Sequence, residues 1–158
     1  MCTSSTRCPG WGRYADVEAL ARPVLAGTDD PELVGRVTWA LAYALRLLGE
    51  FERALAVTGD ALAGRALSAR WAARLRALHS SMLCTLGRFD EARSAAEQAE
   101  AEGLRAGDRV AVGWALFASA VLARHHRDEL ARMSLLERAE AVVGDDPEAM
   151  DLRLLVAV

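Results

Sequence analysis

Lysine, asparagine and isoleucine are absent from the 158-residue chain, so all 19 basic residues are arginine. These three residue types have AT-rich codons, and the absence reads as the codon bias of a GC-rich genome. It has chemical consequences. Without lysine there is no P-loop lysine, no Schiff base and no lysine general base. Cysteine is scarce and odd in number, at Cys2, Cys8 and Cys84. No CxxC pair occurs, which excludes a zinc knuckle and a dithiol redox motif and fits a reducing, cytoplasmic setting. A net charge of −3 provides no basic excess, so direct nucleic-acid binding is not expected. Residues 1–10 have no apolar core of a signal peptide, and no apolar run reaches membrane-spanning length. The nucleophile elbow, the HExxH zinc motif and the dinucleotide glycine fingerprint are all missing. A non-enzymatic protein without a cofactor is expected, one that touches no membrane.

Hydrophobic residues make up 53% of the chain and charged residues 26%, the balance of a soluble globular protein. Alanine, the best helix former, is the commonest residue. A short pattern recurs as Gly12-Arg13-Tyr14, Gly49-Glu50-Phe51 and Gly87-Arg88-Phe89, at intervals of 37 and 38 residues. A second ruler agrees with it. Helix N-caps are expected at Asp30, Ser68, Asp108 and Asp146, at intervals of 38, 40 and 38. Asp30-Pro31-Glu32 and Asp146-Pro147-Glu148 are near-identical helix starts, with proline at the first helical position.

These marks divide the chain. Residues 1–11 are a flexible N-terminal segment, and residues 12–158 form one helical-repeat domain. A half pair covers 12–27, full pairs cover 30–65, 68–104 and 108–143, and a truncated helix covers 146–158. Helices are expected over about 14–25, 31–48, 51–63, 69–86, 89–102, 109–124 and 128–143, with Pro23 ending or kinking the first. The third turn, His125-His126-Arg127, has neither the glycine nor the aromatic. The array starts and stops mid-pair, so it is expected to continue in a longer protein or to pair with another chain.

Gly49-Glu50-Phe51-Glu52-Arg53-Ala54 and Gly87-Arg88-Phe89-Asp90-Glu91-Ala92 resemble the G-x-[YF]-x-x-A core of tetratricopeptide repeats. Leu41, Ala42 and Leu45 fall at that family's apolar and small positions; His79, in the next unit, departs from them. The resemblance implies an all-α fold, a right-handed α-solenoid of antiparallel helix pairs with about seven to eight helices. The units are longer than the usual 34 residues. Their Ala/Arg-rich style is similar to the sensor arrays of large LuxR-type transcriptional regulators of high-GC bacteria, which implies a protein- or peptide-binding role. That family's peptide-terminus clamp needs lysine and asparagine, so it does not carry over.

Arg36, Trp39, Tyr43 and Arg46 form a stripe on the helix over 31–48, opposite Val34, Val37, Leu41 and Leu45. In tetratricopeptide-like arrays such a stripe lines the concave groove, and two arginines flanking two aromatics suit an acidic or aromatic-bearing peptide. The alternative is that Trp39 and Tyr43 pack against the preceding helix. On the helix over 69–86, Arg74, Ala77, Ser81 and Cys84 are either groove floor or a solvated face. Trp71, Leu75, Leu78 and Met82 are core. Arg65, Arg70, Arg74 and Arg76 read as a solvated basic stretch, and His125 and His126 as a solvated turn rather than a metal site. The expected partner is a protein or peptide segment, with a small effector as a second candidate. Self-association through the uncapped ends is the structural alternative.

Overall fold

A computed structural model describes residues 12–156, with side chains from Asp16 onward. The expected flexible segment 1–11, with Cys2 and Cys8, lies outside the described residues, as do the last two residues. The protein is all-helical, with no strand among the described residues. Among the described residues eight α-helices run in order: α1 (Gly12–Gly27), α2 (Pro31–Leu47), α3 (Phe51–Gly64), α4 (Ala69–Thr85), α5 (Phe89–Ala106), α6 (Arg109–His125), α7 (Glu129–Val143) and α8 (Met150–Val156). A 3-10 turn, Pro147–Ala149, precedes α8.

Capping chemistry sets the helix starts. Asp30, Asp108 and Asp146 each accept backbone N–H bonds from the first turn that follows them, and Ser68 holds the N-cap position of α4. The last of these caps opens the 3-10 turn rather than the α-helix expected from Pro147. Pro23 neither ends nor interrupts α1, which continues to Gly27. Just past that proline, the Arg65 guanidinium donates to the carbonyls of Leu25 and Thr28 at 2.8 and 2.9 Å. The end of α1 is thereby tied to the end of α3.

Three turns share one geometry. Gly49, Gly87 and Arg127 all take left-handed φ values, of 77°, 78° and 57°. The next residue's N–H then reaches back to the helix: Glu50 to Leu45, Arg88 to Leu83 and Asp128 to Ala123, at 2.9, 2.9 and 3.0 Å. The third turn, which lacks the glycine, folds like the other two and forces an arginine into a conformation that disfavours a Cβ.

Each helix packs on the next, and a further series of contacts joins α2 to α4, α4 to α6 and α6 to α8. Helix α4 touches α2, α3, α5 and α6, which buries both of its faces. Trp71, Leu75, Leu78 and Met82 are core as expected. Arg74, Ala77, Ser81 and Cys84 are also buried, so the solvated-face alternative for that set does not hold. Close approach between helices rests on two glycines. A Cβ on Gly35 would lie 2.3 Å from the Trp71 Cβ, and one on Gly113 would lie 2.4 Å from Val143 Cγ1.

Two substitutions test this packing. Alanine normally gains about 1 kcal/mol over glycine inside a helix. Gly35→Ala should instead cost about 1–3 kcal/mol by overpacking against Trp71, read as a lower urea midpoint. Arg127→Gly relieves the left-handed turn and should add about 0.5–1 kcal/mol, a melting rise of about 2 °C by calorimetry.

Candidate functional site

The face shared by α2, α4 and α6 carries a continuous aromatic block. Trp39 and Tyr43, one helical turn apart on α2, stack at 6.1 Å between ring centroids. Trp39 meets Trp71 of α4 at 6.4 Å and the edge of Trp114 of α6 at 5.2 Å. Tyr43 also meets Trp114, at 6.0 Å, and Trp114 meets Phe117 at 5.7 Å. Edge-on and offset contacts of this kind bring attraction beyond the area they bury. Trp39 and Tyr43 are half-buried by these rings, while Trp114 is almost fully enclosed. The two aromatics of the α2 stripe therefore pack against each other and against the later helices α4 and α6.

Arg74 is an internal charge. Its guanidinium donates to both carboxylate oxygens of Asp108, at 2.6 and 3.0 Å, and contacts Glu148 at 2.8 Å. It lies 5.0 Å from the Trp71 ring. Burial works against its charge, but the bonds to Asp108 and Glu148 outweigh burial and raise its pKa. The same Asp108 carboxylate caps α6 through the N–H groups of Val110 and Ala111. One side chain of α4 thus anchors the start of α6 and the 3-10 turn before α8.

The rest of the basic stretch is used in the same way. Arg65 ties α3 to α1, Arg70 approaches Glu32 and Glu148, and Arg76 donates to Glu102 of α5 at 2.9 Å. The expected solvated stretch is a set of links between helices. At the third turn, His125 and His126 lie beside the Phe89 ring, at 5.3 and 5.8 Å.

Five of the six residues of the expected groove divide between two pockets. Arg36, Trp39 and Arg74 line one of about 350 Å³, with Trp71, Glu148 and Asp151 opposite them. Arg46 and Ser81 line another of about 420 Å³, together with Phe117, Arg124, Arg132 and Leu155. Tyr43 stands between them in the aromatic block. Ser81 donates its hydroxyl to the Leu78 carbonyl at 2.7 Å. The first pocket is mixed in charge. The second has three arginines and no acidic residue in its lining.

Trp71, Trp114, Phe117, Asp108, Glu148, Arg124 and Arg132 were not part of the expected groove. The repeat offers a signal for some of them. Arg46 and Arg124 each lie sixteen residues after an N-cap, Asp30 and Asp108, and Trp39 and Phe117 each lie nine after. The ion-pair partners of Arg74, the cap Asp108 and Glu148 of the 3-10 turn, lie 34 residues and more away in the chain, and no local pattern announces the pairing.

No family model matches the chain, and no curated protein and no solved structure matches it.

Arg74→Met should destabilise the fold by about 3 kcal/mol, because it leaves Asp108 enclosed without its cation. A urea titration followed by far-UV circular dichroism measures this. His79 provides a pH signature. Its Nδ1 lies 2.7 Å from the Thr58 hydroxyl, and burial first, then Arg88 and Arg76, push its pKa below the ordinary value of about 6.5. The unfolded chain therefore takes up the proton first. Stability should be complete above about pH 6.5 and decline as pH falls through the depressed folded value. His79→Gln should flatten that part of a stability-against-pH curve.

Proposed function

We propose that the chain is a right-handed solenoid of antiparallel, tetratricopeptide-like helix pairs. It serves as a non-enzymatic, cytoplasmic scaffold that binds a protein or peptide segment. The contact pattern supports the architecture, since each helix touches the next and α2, α4, α6 and α8 also touch in series. The two glycine turns and the spacing of the caps support the repeat. The style of the repeat favours the interaction region of a bacterial transcriptional regulator.

The observation that carries the binding role is the α2–α4–α6 face, where an aromatic block lies between Arg36 and Arg46. Among the described residues neither arginine has a carboxylate in ion-pair contact. A partner with acidic residues around an aromatic side chain fits that pattern. Peptides of that composition, titrated against the intrinsic fluorescence of Trp39 and Trp114, provide the assay. Arg36→Glu combined with Arg46→Glu should weaken binding at least about a hundredfold with helicity unchanged. Equal binding by parent and variant overturns the groove reading.

A second reading is self-association, favoured by exposed apolar side chains on the outer helices. Leu130 is 87% exposed on α7 and Leu20 72% exposed on α1, with Met150 and Leu154 exposed on α8. Light scattering after size exclusion should then show dimers or larger species at high concentration, and a strict monomer rejects this reading.

A further inference from the structure

The pocket of about 420 Å³ is lined by three arginines and no acidic residue, unlike the mixed-charge pocket beside Trp71. Arg74, Arg76 and Arg88 each meet a carboxylate within 3 Å. Arg46 from α2 and Arg124 from α6 line this pocket with no carboxylate in ion-pair contact among the described residues. Arg132 from α7 joins them, held only by an exposed contact to Glu129 at 3.3 Å. Cys84 is the α4 residue at the same repeat position as Arg46 and Arg124, and it is fully buried. The rest of the lining is largely apolar, with Phe117, Val121, Leu136 and Leu155. The hydroxyls of Ser81 and Thr85 donate to backbone carbonyls, so the charged donors are the guanidinium groups.

These features set the chemistry of an occupant. Guanidinium forks bind carboxylate and phosphate oxygens in pairs, and unlike lysine they do not lose their charge near apolar surface. A bare hydrated anion would leave the apolar wall uncovered. The volume suits a small molecule. We propose that the pocket binds a small amphiphilic acid, its carboxylate or phosphate held by Arg46 and Arg124 and its apolar chain lying against Phe117, Val121 and Leu136. The assignment rests on the reading of this face as a binding surface and names a low-molecular-weight effector for it.

Decanoate and decyl phosphate are the probes, decanol is the neutral control, and titration calorimetry on the full chain is the readout. Both acids, or one of them, should bind saturably with one-to-one stoichiometry, and the preferred headgroup identifies carboxylate or phosphate. Decanol should bind at least about tenfold more weakly. Arg124 is exposed and free of ion pairs, so Arg124→Gln should fold normally by circular dichroism and lose about tenfold in affinity for the acid. Arg46→Gln should do the same. The proposal fails if neither acid binds, if decanol binds as well as the acids, or if both variants bind like the parent. An acidic aromatic peptide, titrated in parallel, separates the two readings. Peptide binding without acid binding removes the effector site and keeps the scaffold, and acid binding without peptide binding does the reverse.

Discussion

The fold depends on a charge that is kept inside it. Arg74 sits on the central helix, nearly sealed from water, between the Trp71 ring and two carboxylates from later segments. A guanidinium in such a place is tolerable only if its donors are met, because an unpaired buried charge costs several kcal/mol. Here the partners are also structural. Asp108 starts α6 and Glu148 belongs to the turn that starts α8. Satisfying the charge therefore places the starts of two helices relative to α4. Apolar contacts could hold the same helices together, but they are non-directional and tolerate sliding. The forked ion pair gives α4 and α6 a register.

That register builds the aromatic block. With α6 fixed on α4, Trp114 falls against Trp39 and Tyr43, although α2 and α6 are far apart in the chain. Gly35 matters for the same reason, since only a missing Cβ lets α2 approach the Trp71 side chain of α4. The arginines then fall into two groups. Arg65, Arg74 and Arg76 are engaged in holding helices together, while Arg36, Arg46 and Arg124 border the aromatic block with no carboxylate in ion-pair contact among the described residues. A chain whose basic residues are all arginine gains from this split. The same fork that clamps a carboxylate inside the fold can clamp one brought by a ligand.

Much of the helix layout was legible in the sequence because it is governed locally. A cap, a left-handed turn and a 3.6-residue stripe each involve neighbours in the chain, so Asp30, Gly49 and the Val34–Leu41–Leu45 row could be read directly. Pro23 signals a break through its missing N–H, yet α1 runs on to Gly27, and the group that ties down the end of that helix, Arg65 on the Leu25 and Thr28 carbonyls, comes from about forty residues later in the chain. The candidate site was half legible. Arg46 and Trp39 stood out on their helix, but Arg74 carries the same local signature and turned out to be internal. Whether an arginine is engaged or free depends on which acceptor arrives from another helix, and hydrophobic periodicity contains no information about that.

The unequal repeats make sense in this light. A strictly repeated unit would place an arginine at position 84, to match Arg46 and Arg124. The small, buried thiol of Cys84 stands there instead. Likewise, the 40-residue step from Ser68 to Asp108 exceeds its neighbours by two residues, and the cap at its far end is the one that meets Arg74. Where the sequence pattern is faithful, at the Gly49 and Gly87 turns, it gives the same left-handed turn and the same bond back to the helix. Where it departs from fidelity, a core cysteine packed with Leu83, Ala92 and Leu122 replaces an arginine, and a longer step ends at the cap that meets Arg74. The sites that distinguish this molecule from a plain helical stack lie at the irregularities of its repeat.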